Sequence, residues 1–223
     1  MKKLLPIIFL LFGISGLYGQ TIEWAFVNLP EQYLPLLTKE KRAELIFRYN
    51  VSGMDTISNN FNGISRLREV DIVHEYLKID LTEKSTLELK VLPTSDLTPI
   101  IIFSHTVCAP VCDSHLAFFD SEFRRLDTDT NPIFPNITVS DFLDMDNIHA
   151  AGETLENIVR KYDVLLASVF LQKNNTILVQ SNTKELLPPE IYEEILPYII
   201  GDKILLTWED GVFTKGKATW SLK

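Results

Sequence analysis

Glycine, cysteine and positive charge are all scarce in this chain. Nine glycines among 223 residues leave few places for a phosphate-cradling turn, and no Gly-x-Ser-x-Gly elbow, phosphate loop or dinucleotide fingerprint occurs. Lysine and arginine number 21 against 30 aspartates and glutamates, a formal charge of −9. No basic field is available to condense on nucleic acid or anionic lipid, which excludes nucleic acid as a partner. Past the first residues no apolar run approaches the roughly 20 residues that a membrane-spanning helix needs. Residues 100–103 and 164–171 have the length of buried strands instead. A zinc-protease helix is missing too: His74-Glu75-Tyr76-Leu77-Lys78 has lysine where the second histidine must stand, and it lies on alternating sequence. What remains is 46% hydrophobic and 23% charged residues, the composition of one globular domain or two small ones.

The start of the chain reads as an address. Met1-Lys2-Lys3 is positive, residues 4–17 are apolar, and Tyr18-Gly19-Gln20-Thr21 is polar, the order of a secretory signal peptide with cleavage near Gly19 or Gln20. The apolar run is short for a membrane anchor. No cysteine follows it, which argues against a lipid-modified N-terminus. The expectation is a periplasmic or secreted protein with signal peptide 1–19 and no transmembrane segment after its removal.

Beyond residue 19 the hydrophobic period changes along the chain. Thr38 is a reasonable N-cap, and Ala43, Ile46 and Phe47 recur at helical spacing among charged residues, so a surface helix is expected to end near Asn50. Residues 51–62 are rich in Ser, Gly, Asn and Asp and read as a loop. Leu77, Ile79 and Leu81 then alternate with Lys78 and Asp80, and Leu87, Leu89 and Val91 with Glu88 and Lys90, which predicts a hairpin with one wet face. Residues 100–107 and 115–119 add two strands. In the second part, residues 139–145 suggest a short helix, and Leu155, Ile158, Val159 and Tyr162 mark an amphipathic one. Residues 164–171 and 176–180 flank the turn Lys173-Asn174-Asn175, Pro188-Pro189-Glu190 opens a helix, and residues 204–208 and 212–213 close a hairpin around Asp210-Gly211. The fold class is therefore α+β, antiparallel sheet packed against a few helices. The organisation expected is signal peptide 1–19, a helix plus four-stranded unit over 20–126, a proline-marked seam at 127–137, and a second helix-plus-sheet unit over 138–223, packed as one body.

The only cysteines, Cys108 and Cys112, lie in Thr106-Val107-Cys108-Ala109-Pro110-Val111-Cys112-Asp113. In an exported chain a disulfide is the plain reading. A reversing loop can bring the α-carbons within the required window of roughly 4.4 to 6.8 Å, and so short a loop contributes only about 2 kcal/mol. Two sharper readings compete. Cys108 and Cys112 with His105 and His115 offer zinc ligands, but strand alternation points each histidine away from its cysteine. Redox pairs have two intervening residues at a helix start, and here there are three in a hairpin. Asp127-Thr128-Asp129-Thr130-Asn131 begins like a calcium loop, yet Pro132 and Thr138 occupy positions that need Gly and Glu, and Asp141, Asp144 and Asp146 form a second solvated acidic patch. No cofactor or metal is expected. Asn50-Val51-Ser52, Asn136-Ile137-Thr138 and Asn174-Asn175-Thr176 match the glycosylation pattern and are read as loop markers. Trp24, Tyr33, Tyr49, Tyr76, Trp208 and Phe213 are candidates for a carbohydrate or peptide platform, although core packing explains most of them, and Trp208 alone is expected at an exposed turn.

The signal peptide, the run from Leu29-Pro30 to Leu37 before a charged helix, Ser85-Thr86-Leu87-Glu88-Leu89-Lys90-Val91-Leu92-Pro93, the cysteine segment through Ser114, and Leu206-Thr207-Trp208 together are familiar. The chain resembles a family of uncharacterised exported proteins, a domain of unknown function from gut-dwelling Gram-negative anaerobes of the Bacteroidales type. The resemblance implies an envelope or secreted location and transfers no activity or site residue. The function expected is a non-enzymatic, envelope-associated module that binds a protein, peptide or glycan. One alternative is a secreted hydrolase using His105 or His115 with a nearby carboxylate. The other is an inhibitor-like protein presenting a sheet face or the stapled loop from Cys108 to Cys112.

Overall fold

Thr21 and Thr38 each adopt an extended backbone and cap the start of a helix. Their hydroxyls accept from the backbone N–H of Trp24 at 3.2 Å and of Lys41 at 3.4 Å, satisfying a donor that every helix start leaves open. The computed structural model describes residues 20–94, 98–127, 133–161, 166–209 and 211–221, so the expected signal peptide lies outside the described residues. The two helices are α1 (Ile22–Asn28) and α2 (Lys39–Ser52). α2 is the charged helix expected after Thr38, and it stops at Gly53, whose φ of 69° suits a residue without Cβ. α1 has no periodic signature, being seven residues long and rich in aromatic and β-branched side chains. Packing holds it in place, for Ile22, Ala25 and Phe26 are completely buried.

The first sheet is an antiparallel meander of β1 (Thr56–Ser58), β2 (Ile64–Asp71), β3 (Tyr76–Thr82), β4 (Ser85–Leu92), β5 (Ile100–Cys108) and β6 (Cys112–Phe119), paired in chain order. The expected hairpin is β3–β4, with Leu77 opposite Leu89 and Ile79 opposite Leu87. Six strands replace the four expected from sequence, because β1 falls inside the stretch read as a loop and β2 follows it. The alternation of β2 is disguised. Ile64 is 60% exposed while the completely buried Ser65 takes a core position by donating to the Leu81 carbonyl at 2.8 Å, and a register shift between Leu67 and Glu69 breaks the period of two.

The second sheet pairs β7 (Ala167–Leu171), β8 (Thr176–Ser181), β9 (Lys203–Glu209) and β10 (Val212–Lys215) in the order β10-β9-β8-β7, all antiparallel. α3 (Met145–Ala151) and α4 (Glu153–Lys161) precede it, and α5 (Thr183–Leu186) and α6 (Pro189–Ile195) connect β8 to β9. Residues 139–145 hold a 3-10 turn, Val139–Phe142, and only the start of α3. Among the described residues no helix is long and apolar enough to cross a membrane. Both sheets and the helices make the α+β fold that the changing periods imply.

One face of the first sheet packs Leu77, Leu87, Leu89 and Phe103 against Phe26 and Leu45 of the helices. On the other face Leu92, Ile102 and Phe118 form a second cluster with Val169, Ile177, Ile204 and Phe213 of the second sheet. The sheets do not meet face to face throughout. β7 is an edge strand, and its edge abuts the first sheet, where side chains supply the hydrogen bonds a missing neighbour strand would have made. The N–H groups of Ala167, Val169 and Leu171 donate to Asp113 Oδ1 at 3.2 Å, Ser114 Oγ at 2.8 Å and Glu88 Oε2 at 2.9 Å, and Ser104 Oγ donates to the Val169 carbonyl at 2.9 Å. Each pairing removes the cost of a buried backbone group without a partner, about 1–3 kcal/mol.

This docking makes a graded expectation. Ser114→Ala, which leaves the Val169 N–H unpaired, lowers unfolding stability by about 1–2 kcal/mol in urea titrations. Glu88→Ala, which leaves the Leu171 N–H, the buried Tyr76 hydroxyl and the partly exposed Lys78 ammonium without their shared partner, lowers it by more, about 2–4 kcal/mol. Equal small losses in both would show that the edge is not held by these side chains.

Candidate functional site

Strand alternation places Lys78, Thr86, Glu88 and Thr106 on the same face of the first sheet as Leu92, Ile102 and Phe118. The apolar half of that face is closed by the second sheet. β7 crosses at the boundary, sending Ala167, Val169 and Leu171 into the shared core and lining the other side with Ser168 and Phe170. A polar groove results. One compartment, about 520 Å³, is walled by Lys78, Thr86, Glu88 and Thr106, with Glu83, Lys84 and the Cys108, Pro110 and Cys112 loop at its rim. A second, about 420 Å³, is walled by Glu69, Tyr76, Leu171, Gln172, Lys173 and Asn174. The two share Lys78, Glu88 and Phe170, and each falls in the range of ligand-binding clefts.

The charges along the groove are held in place by one another. Glu88 is 5% exposed; Oε1 accepts from the Tyr76 hydroxyl at 2.8 Å and pairs with Lys78 Nζ at 3.1 Å, while Oε2 takes the Leu171 N–H. Burial, and then the Glu88 carboxylate, keep the Tyr76 hydroxyl protonated above the ordinary tyrosine range. Lys90, only 2% exposed, donates to the His74 carbonyl at 2.8 Å and the Lys173 carbonyl at 3.1 Å. It thereby ties the β2–β3 turn to the β7–β8 turn. Burial pushes its ammonium down to about 8 against the pull of Asp71 and Glu75. Lys173 closes the same end by pairing with Glu69 and with Asp71 at 3.1 Å. Hydrogen bonds from the His74 backbone and ring, joined by Lys173, hold the Asp71 carboxyl well below the usual carboxylate range.

The hairpin face expected to be wet is therefore a correction: Glu88 and Lys90 stand at polar positions of an alternating strand, and the second sheet covers them. No local pattern announces this, since β7 arrives from residues 83 positions further along the chain for the contact with Glu88.

Cys108 and Cys112 face each other at the closing turn of β5 and β6, with sulfurs 1.98 Å apart. Their α-carbons are 3.9 Å apart, closer than the expected window. His105 and His115 are also a cross-strand pair, but on the helix-covered face, where both rings contact Phe103. The four residues do not converge. Burial, and then His115, lower the affinity of His105 for a proton, and its Nε2 has no hydrogen-bond partner among the described residues. Neither ring has a carboxylate partner among the described residues. His74 lies in the β2–β3 turn on Asp71, not on a helix. Asp141 pairs with Lys215, and Asp144 caps α3; residues 128–132 of the acidic loop lie outside the described residues.

The aromatic candidates are dispersed. Trp24 stacks on Phe123 at 5.4 Å, Tyr33 meets Phe119 edge-on at 4.7 Å, and Trp208 is half-buried against Phe213 at 4.9 Å instead of exposed at the turn. Of these candidates Tyr76 lines the groove, its hydroxyl held by Glu88, and it is joined there by Phe170, which sequence reasoning did not single out although Ser168, two residues before it, stands on the same face of the strand.

Lys90 sets a pH dependence. Between its folded value of about 8 and the ordinary 10.5 the unfolded chain binds the proton and the folded chain does not, so this group adds stability as pH rises through that interval and withdraws it as pH falls. Tyr76 acts in the opposite sense only above its ordinary value of 10.0. In urea titrations the stability of the native protein relative to Lys90→Met is expected to increase by about 1–2 kcal/mol from pH 7 to pH 10; parallel pH curves would overturn the assignment.

Comparison with curated proteins finds no match. Among solved structures the fold is similar to a domain of an uncharacterised protein from Porphyromonas gingivalis W83, with a TM-score of 0.73 and 22% identity over 87% of this chain and 97% of that one. At that identity the likeness is one of fold. Residues 14–213 match the family model described as a protein of unknown function (DUF3256), and the chain belongs to that family.

Proposed function

We propose that the protein is an exported, non-enzymatic binding module of the bacterial envelope and that the groove between its sheets receives the partner. The observation that carries this reading is the state of the groove's polar groups. Both oxygens of Glu88 are engaged, Lys78 and Lys173 are paired, and Phe170 stands half-buried between two compartments. Walls fixed in this way bind without paying to order themselves. A carboxylate with its lone pairs committed to a phenol, an ammonium and a backbone N–H is a poor general base, which favours binding over turnover. The Cys108 to Cys112 bridge at the rim suits an oxidising compartment.

Two measurements test this. The full precursor, expressed in a bacterium with an intact export pathway, is expected to yield a native mass starting near Gln20, with Cys108 and Cys112 alkylated only after reduction; a cytoplasmic product retaining residues 1–19 would sink the export claim. A photo-crosslinking residue placed at Glu83, on the groove rim, is expected to capture an envelope component that the same residue at Val51, on α2, does not. Equal labelling from both positions, or none from either, would show that the groove is not the binding surface.

A further inference from the structure

We infer that the groove takes a neutral glycan, with one sugar ring lying on the face of Phe170; this rests on the reading of the groove as the binding surface. Charge supplies the first argument. The charged side chains lining the groove are Lys78, Lys84 and Lys173 against Glu69, Glu83 and Glu88, so the walls present no net sign to a charged polymer. The surrounding field, −9 for the whole chain, repels an acidic one.

Hydrogen-bonding capacity supplies the second. Beside the paired charges, hydroxyls, amides and an ammonium face the groove: Thr86, Thr106, Gln172, Asn174 and Lys78. Thr86 directs its own proton to Asp80 Oδ1 at 3.2 Å, which leaves its oxygen to accept, and Asn174 engages its carbonyl oxygen with Thr176 Oγ1 at 2.7 Å, which leaves its NH₂ to donate. Lys78 keeps ammonium protons beyond the one directed at Glu88. A mixed donor and acceptor lining matches sugar hydroxyls, each of which is both donor and acceptor.

The third argument is the aromatic ring shared by the two compartments. Phe170 lines both compartments. Its negative face attracts the positively polarised C–H groups on one side of a pyranose, and the flanking polar walls reach the hydroxyls at the ring's edge.

An extended peptide fits less well, because the strand edge it would join is already occupied. The N–H groups of Ala167, Val169 and Leu171 and the Val169 carbonyl are bonded to Asp113, Ser114, Glu88 and Ser104. No ladder is left on β7 for strand addition.

The test is an amide-resolved NMR titration of the ¹⁵N-labelled mature protein. The probes are neutral tetrasaccharides of β-1,4-glucose, α-1,4-glucose, α-1,6-mannose and β-1,4-N-acetylglucosamine, with a uronate tetrasaccharide and an uncharged tetrapeptide alongside. At least one neutral tetrasaccharide is expected to move the amides of Thr86, Phe170 and Gln172 saturably. Phe170→Ala should weaken that binding about tenfold, Phe170→Tyr should preserve it, and the rest of either variant's spectrum should stay in place. Movement of these amides by the uronate or the peptide and by no neutral sugar would overturn the inference and leave the groove reading intact. Silence from all the neutral sugars also overturns it; capture from Glu83 in that case keeps the groove reading alive, and its absence removes both.

Discussion

The arrangement depends on one constraint, that the edge of β7 must be satisfied where it is buried. An edge strand carries a row of N–H and C=O groups that either pair or stay in water. Here neither a neighbouring strand nor solvent serves. Asp113, Ser114, Glu88 and Ser104, drawn from three strands of the first sheet, take the place of the missing ladder. That substitution explains why a carboxylate and serines occupy positions where an antiparallel sheet facing another sheet would carry aliphatic residues, and why the four-stranded sheet meets the larger one by its edge.

From the edge contact the remaining geometry follows. β7 divides the first sheet's outer face into an apolar half, buried with Val169 and Phe213, and a polar half that stays open as the groove. Glu88 sits on the dividing line and needs Lys78 and Tyr76 to balance it. Lys90, one position further along the same face, reaches past β7 to the carbonyls of two turns and holds the ends of both sheets together. These polar groups tie the sheets in a particular register, a role for buried polar networks that apolar packing fills less selectively. The same groups make the walls of the groove, so the rigidity of the junction and the preorganisation of the site have a common source.

The cysteine loop belongs to this junction as well. Cys112 offers its carbonyl to Asn182, whose side chain also reaches Ser168, so the turn that the cysteines close is anchored to the second sheet at the groove's rim. His105 and His115, the other residues of the nearly symmetric segment, lie across the sheet against Phe103 and have no share in the groove.

Much of the architecture was legible in the chain itself. Alternation at Leu77, Ile79 and Leu81 and at Leu87, Leu89 and Val91 determined the central hairpin, Thr38 marked the start of α2, whose end near Asn50 was placed two residues short, and Lys173-Asn174-Asn175 marked the turn between β7 and β8. These are local effects, set by period, cap and turn chemistry within a few residues. What stayed hidden was decided at long range. α1 is helical because it is buried, β2 alternates around a hydrogen-bonded Ser65, and Glu88 and Lys90 look like solvated residues until β7 covers them. The sequence by itself determined the elements, the α+β class and the placing of the cysteines opposite one another. Only the tertiary structure decided which polar face is a groove and which residues line it, because burial of a side chain is a property of what packs over it and not of the strand on which it stands.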